Sequence, residues 1–118
     1  MNGVMILAHG SRVQSTKNTI NEVVEMTKKK IGDIPLEIAY MEFCDENIEH
    51  GINALTEKGV THIKVVPYFL FEGIHIRQDI PEEIEKILKD YSGVTVEMGK
   101  TLGVDERLAD ILADRILN

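Results

Sequence analysis

The stretch "GVMILA" at residues 3–8 is continuously apolar and runs directly into "HGSRV" at residues 9–13. Such a run is typical of a strand in a parallel sheet that helices cover on both faces. The segment "HIKVVP" at residues 62–67 has a similar character, and shorter apolar runs occupy residues 35–40 and 94–98. The sequence therefore predicts four buried strands.

Segments with helical spacing separate these strands. Strands and helices that alternate with short links predict parallel strands joined by right-handed crossovers. We expect an α/β fold, a four-stranded, parallel, doubly wound sheet with helices on both faces. A flavodoxin-like strand order, 2-1-3-4, would open a crevice beyond the carboxyl ends of the first and third strands. The helical stripes are formed by Ile20, Val23, Val24, Thr27 and Ile31; Ile48, Ile52 and Leu55; Ile80, Ile84, Ile87, Leu88 and Tyr91; and Leu108, Ile111, Leu112 and Ile116.

Composition limits the class of protein. A chain of 118 residues with 43% hydrophobic residues has material for one core, so we expect a single domain over residues 1–118. The net charge of −7 opposes sequence-independent binding of nucleic acid. A single cysteine excludes an internal disulfide, and the longest apolar run, "VVPYFLF", is too short to span a membrane. We expect a cytoplasmic protein that binds neither nucleic acid nor membrane.

Two histidines follow the first and third strands. His9 and His75 would both flank the crevice, where neutral imidazoles suit divalent late transition metals. Two ligands make a weak site, which suits an ion that must be released, and Glu42 and Asp45 after the second strand could add oxygen ligands. Asp45 could equally cap the second helix, and Cys44 fits a small buried side chain better than a ligand.

The loop at residues 67–78 is longer than most links in α/β proteins. We expect two or three of its large apolar side chains to belong to the core, and the others to line a pocket for a flat ligand or to contact another chain. Asp79 and Glu82 after this loop have the spacing of a capping box. The large apolar side chains are Tyr68, Phe69, Leu70, Phe71 and Ile74.

The turn "HGS" has two further interpretations. A glycine-serine turn that enters a helix can present free N–H groups to an anion, which makes Ser11 a candidate ligand-binding residue. Ser11 as a hydrolase nucleophile is a weaker alternative, because no G-x-S-x-G motif surrounds it.

Three segments, "LAHGSR", "YMEFCDENI" and "VVPYFLFEGIHIRQDIP", together resemble the short-form sirohydrochlorin chelatases, the CbiX-type class II chelatases of cobalamin and coenzyme F430 biosynthesis. The resemblance spans essentially the whole chain and implies a chelatase-like fold. It also implies a lyase that inserts divalent cobalt or nickel, or in relatives iron, into sirohydrochlorin, a tetrapyrrole with eight carboxylates. The metal would be a substrate, and no cofactor would be permanently bound.

The resemblance also implies roles for individual residues. His9 and His75 would bind the metal, His9 would also accept a proton, and Glu42 would help with metal or protons. Short members are expected to form a homodimer that rebuilds a bilobed cleft. Arg12 and Arg77 are the candidates to meet the substrate carboxylates. Substrate contacts are implied around Asp45 and along Leu70, Phe71, Glu72, Gly73, Ile74 and His75.

Two other functions remain open beside cobalt or nickel insertion and the weaker hydrolase reading. The same crevice could carry a metal or a finished metallo-tetrapyrrole without turnover. The protein could also be a sirohydrochlorin ferrochelatase for siroheme.

Overall fold

The computed structural model describes residues 1–71 and 73–118, while the side chains of His75 and Ile76 lie outside the description. Its four strands are β1 (Asn2–Ala8), β2 (Leu36–Tyr40), β3 (His62–Pro67) and β4 (Thr95–Met98). They form one parallel sheet in the order β2-β1-β3-β4, which confirms the predicted fold class and strand order.

Helices pack on both faces of this sheet. They are α1 (Gln14–Ile31), α2 (Ile48–Glu57), α3 (Ile80–Leu88) and α4 (Glu106–Leu117). On one face, α1 packs through Val24 against Ile6 and Leu36. On the other face, α2 and α3 bury the larger apolar cluster, which includes Met5, Ile52 and Ile84.

The last helix differs from the other three, because α4 has no buried residue within the described chain. Its apolar stripe is exposed: Ile111 is 49% accessible, Leu112 64% and Ile116 78%. Strand alternation places Lys64 on the face of β3 opposite the core residues Ile63 and Val65, and Lys64 is exposed there. Both the stripe of α4 and this part of the sheet are therefore uncovered.

A π-helical turn, His75–Asp79, leads into α3. Asp79 already has helical backbone angles, φ −67° and ψ −42°, whereas a capping residue normally has an extended backbone. The predicted capping box at Asp79 is therefore wrong, because the helical backbone begins earlier in the chain.

Within the described residues, no helix is both long and apolar enough to cross a membrane.

Candidate functional site

The parallel sheet brings three loops together at its carboxyl edge, after β1, β2 and β3. His9 is the first residue after β1, and its imidazole is exposed. The centroid of its ring lies 4.2 Å from that of Phe69, with the planes inclined by 40°. Since Phe69 is only 8% accessible, the core supports the imidazole while leaving His9 open to a ligand.

The loop after β2 is bonded directly to the end of β1. The backbone N–H of Met41 donates to the carbonyl of Ala8 (2.9 Å), and the N–H of Glu42 donates to the carbonyl of His9 (3.1 Å). Glu42, which is exposed, is therefore a neighbour of His9 across the edge of the sheet. The prediction that the acidic loop and the first histidine share one edge is consistent with this backbone geometry.

Gly10 is what allows these two loops to approach. Its φ is +97°, and a Cβ at this position would lie 2.0 Å from the carbonyl oxygen of Glu42. A side chain is thus opposed both by the backbone conformation and by direct overlap. The glycine of the "HGS" turn is a structural requirement of the site, which the sequence analysis did not identify.

An ion pair fastens α1 to the same loop. Lys17 Nζ lies 3.1 Å from Glu46 Oε2, and both side chains are partly buried. The hydrogen bond with Glu46 raises the pKa of the Lys17 ammonium, and the same bond lowers the pKa of the Glu46 carboxyl. The carbonyl of Glu46 also accepts from the N–H of Tyr40 at 2.8 Å. These contacts hold the end of the acidic loop in place.

Ser11 and Cys44 make structural contacts between the loops. The Ser11 hydroxyl oxygen accepts from the N–H of Val13 at 3.0 Å, just before α1. The Cys44 thiol donates to the carbonyl of Ser11 at 3.7 Å. Cys44 is only half-buried between the two loops, so the expectation of a small buried side chain is met only in part.

Asp45 does not cap α2, so that alternative is wrong. The capping residue is Asn47, whose side-chain oxygen accepts from the N–H of His50 at 2.9 Å. If Asp45 were the capping residue, α2 would begin at residue 46, but it begins at Ile48. Asp45 is exposed in the loop, where its carboxylate is available to a ligand.

The loop after β3 is fixed from two sides. The N–H of Tyr68 donates to the carbonyl of Leu7 at 2.7 Å, which ties the loop to β1. The N–H of Leu102 donates to the carbonyl of Phe69 at 2.9 Å, and the N–H of Gly103 donates to the carbonyl of Leu70 at 3.1 Å. These two bonds tie the loop to the segment after β4.

The expectation that two or three apolar side chains of this loop belong to the core is wrong. Phe69 alone is buried among Tyr68, Phe69, Leu70, Phe71 and Ile74. Phe71 is 79% accessible, and Leu70 and Ile74 are each more than half exposed. The loop whose Phe69 contacts the His9 ring therefore displays an apolar surface, defined here as Leu70, Phe71 and Ile74.

Two predicted site groups, Glu72 and the side chain of His75, lie outside the described residues. The backbone of His75 begins the π-helical turn. Gly73 is exposed, and its carbonyl accepts from the N–H of Arg77 at 3.2 Å. Among the described residues, no three His, Cys, Asp or Glu side chains cluster to hold a metal. A site shared by His9 and His75 stays a prediction.

The remaining histidines lie elsewhere. His50 is in the first turn of α2, and His62 begins β3 at the amino edge of the sheet. The His62 ring lies 2.7 Å from Thr95 Oγ1 and 3.1 Å from Glu97 Oε1, which gives it a role between two strands.

Comparison with known proteins gives the family. The CbiX family model matches residues 3–118. The sirohydrochlorin ferrochelatase of Priestia megaterium is 40% identical over 117 residues, which cover 98% of this chain and 44% of the relative. The sirohydrochlorin cobaltochelatase of Methanococcoides burtonii is 32% identical over 123 residues, which cover 98% of this chain and 94% of the relative. The chain thus spans about half the length of the ferrochelatase and nearly all of the cobaltochelatase.

Two solved structures share the fold. The sirohydrochlorin chelatase SirB from Bacillus subtilis subspecies spizizenii, in complex with cobalt, superposes with a TM-score of 0.89 at 31% identity. The match covers 98% of this chain and 49% of SirB. A CbiX protein from Marinobacter aquaeolei superposes with a TM-score of 0.81 at 31% identity, and the match covers 98% of this chain and 94% of that protein. The chain belongs to the CbiX family.

Proposed function

We propose that this protein is a sirohydrochlorin chelatase that inserts divalent cobalt or nickel into the tetrapyrrole. The single observation that carries the proposal is the open imidazole of His9, held on Phe69 beside an exposed apolar loop. An imidazole suits a divalent metal, and an exposed apolar surface suits a flat macrocycle, so this arrangement supports the proposal. Relatives named as sirohydrochlorin chelatases support the choice of substrate.

The chemistry requires a ligand that can become a base. Metal insertion removes two protons from pyrrole nitrogens while a hydrated cation exchanges water for four nitrogen ligands. The His9 imidazole can hold the cation, and once the metal has moved to the macrocycle the freed ring nitrogen can accept a proton. His75 is proposed as the second ligand, and Glu42, bonded through its backbone to His9, as a secondary acceptor.

The apolar surface would contact one face of the macrocycle. Leu70, Phe71 and Ile74 expose large side chains that a flat ligand can cover, which is favourable because it removes apolar area from water. Glu72 and Gly73, in the same loop, are also proposed to contact the substrate. Ser11, Arg12 and Asp45 are proposed to contact the polar periphery of the substrate.

Cobalt is supported by the cobaltochelatase of Methanococcoides burtonii, which is 32% identical over 98% of this chain, and by the fold shared with a SirB structure in complex with cobalt. Nickel prefers similar imidazole ligands and is kept with cobalt. A ferrochelatase for siroheme is the second candidate, supported by the 40% identity of the longer ferrochelatase of Priestia megaterium. The pathway and a cytoplasmic location stay predictions.

A homodimer of a single domain, residues 1–118, is also proposed. The stripe of α4 formed by Ile111, Leu112 and Ile116 is exposed, and large apolar patches commonly mark protein interfaces. The SirB chain is about twice as long as the part that this chain matches. A second copy would supply a second lobe and cover the stripe of α4.

The direct test is an anaerobic absorbance time course. Sirohydrochlorin is mixed with Co²⁺, Ni²⁺ or Fe²⁺ in separate cuvettes, with and without protein, and the conversion of the pigment spectrum is followed. The chelatase proposal expects a protein-dependent rate above the metal-only control, and the fastest metal identifies the preferred substrate. Tight pigment binding without any such rate would instead identify a carrier. A hydrolase is disfavoured because no G-x-S-x-G motif surrounds Ser11.

A further inference from the structure

We infer that Arg12 and Phe43 form a recognition pair for a peripheral carboxylate of the tetrapyrrole, in which the Phe43 ring positions the guanidinium of Arg12. The inference rests on the proposed function and deepens it. The guanidinium carbon of Arg12 lies 4.5 Å from the centroid of the Phe43 ring. Arg12 is in the turn that begins with His9, and Phe43 follows Glu42, so the pair bridges the two loops beside His9.

Phe43 has an unusual backbone conformation. Its φ is +65°, and it is the one non-glycine residue with positive φ in the described part of the chain. A bulky side chain is disfavoured there, and such conformations persist where the surrounding structure over-determines them, often at functional sites. Hydrogen bonds on both sides of Phe43, from the N–H of Glu42 to His9 and from the Cys44 thiol to Ser11, hold the loop in this shape.

Burial does not explain why a phenylalanine occupies this position. The side chain is 53% accessible, so the core gains little from it. The ring instead supplies a flat surface on which the guanidinium of Arg12 stacks. The five N–H donors of a guanidinium lie in its plane, so stacking on a ring leaves them directed outward at its edge. That edge matches a carboxylate in bidentate geometry.

Charge makes this pair important for an anionic ligand. The chain carries a net charge of −7, and the adjacent loop contributes Glu42, Asp45 and Glu46. Lys17 is paired with Glu46, whereas the contact that the structure shows for Arg12 is with an uncharged ring. A substrate with several carboxylates therefore meets a favourable cation at Arg12, next to the reacting group His9.

Binding of metal-free sirohydrochlorin, measured by absorbance titration, tests the pair. Arg12→Gln is expected to raise the pigment Kd about tenfold, as loss of a charge-assisted hydrogen bond does, and Phe43→Leu about threefold. Lys29→Gln, at the opposite end of α1, removes the same charge and should leave the Kd within about twofold of wild type. The fully esterified pigment should bind wild type and Arg12→Gln with the same Kd, because none of its carboxylates is free. A Kd within twofold of wild type in both Arg12→Gln and Phe43→Leu would overturn the inference.

A second variant separates recognition from folding. Phe43→Gly removes the strained side chain, so its midpoint of thermal unfolding should stay within about 2 °C of wild type or rise, while its pigment Kd increases. A lower midpoint together with an unchanged Kd would make Phe43 a structural residue and refute the assignment.

In turnover assays of the Arg12 and Phe43 variants, KM should rise in proportion to Kd while kcat falls less than about twofold. Pigment binding that depends on Arg12, without turnover in wild type, would contradict the chelatase proposal and leave the pair supported.

Discussion

Replacement of Gly10 by alanine should disrupt the site more than any other single methyl addition at a turn glycine. At φ +97° an L-residue is strained by about 1 kcal/mol. The new Cβ would also lie 2.0 Å from the Glu42 carbonyl oxygen. Since a Cβ essentially never lies within 3.0 Å of such an atom, the loop must move by about 1 Å. That movement breaks the 3.1 Å bond from Glu42 N–H to the His9 carbonyl, worth about 1 kcal/mol.

We expect Gly10→Ala to lower the free energy of unfolding by about 3 kcal/mol, because backbone strain, the lost bond and residual overlap act together. A displacement of about 1 Å beside His9 should also lower kcat/KM about 100-fold. Gly59→Ala is the matched control, since Gly59 has φ +92° but no atom within 4 Å of the added Cβ. Strain alone should cost it about 1 kcal/mol.

Urea unfolding of both variants measures the difference directly. A larger cost for Gly10→Ala, by about 2 kcal/mol, would assign the excess to the contact with Glu42. If the two variants agree within about 0.5 kcal/mol, the close approach of the two loops is not the reason for a glycine at this position.

Three further predictions concern other parts of the molecule. Glu46→Gln should lower Tm by about 2 °C at pH 7 in scanning calorimetry. Because Lys17 lowers the pKa of the Glu46 carboxyl from 4.5, the Tm difference between wild type and variant should persist above pH 4.5 and close as the pH falls through the lowered pKa. Ile111→Glu on the exposed face of α4 should convert the proposed dimer to monomers in light scattering without lowering the helix content measured by circular dichroism, and an unchanged mass would argue against that interface. Tyr40→Phe should stabilise the fold by about 1 kcal/mol in urea, because the buried hydroxyl has no partner in the described chain, and a loss of stability would reveal one.

The sheet was predictable because its strands carry a local signal. The apolar run of β1 indicates a strand covered on both faces, and the alternation of strands with helices indicates parallel pairing. The similar run of β3 also predicts a strand, but its Lys64 is exposed, so coverage of both faces was wrong there. The stripe of α4 was equally regular, yet Ile111 and its neighbours are exposed. Periodicity shows that a helix has an apolar face, but it does not show which surface, on the same chain or another, covers that face.

The site was predictable only at the level of the sheet edge. The sequence placed His9, Glu42 and Asp45 at the carboxyl ends of neighbouring strands, because strand direction alone determines that position. Which residue caps α2 depends on the loop path, and Asn47 does so instead of Asp45. The positive φ of Phe43 and its contact with Arg12 also arise from loop packing, for which the residue types give no periodic signal.

The most direct test of the proposed function compares three histidine variants in the anaerobic conversion of sirohydrochlorin with Co²⁺. His9→Ala and His75→Ala remove the two proposed ligands, while His50→Ala removes an exposed histidine in the first turn of α2. We predict that His9→Ala, which removes a metal ligand and proton acceptor, and His75→Ala, which removes the second ligand, each reduce the protein-dependent rate at least about 100-fold. His50→Ala should stay within about twofold of wild type. A His9→Ala variant that converts the pigment as fast as wild type would contradict the assignment of His9 as metal ligand and proton acceptor.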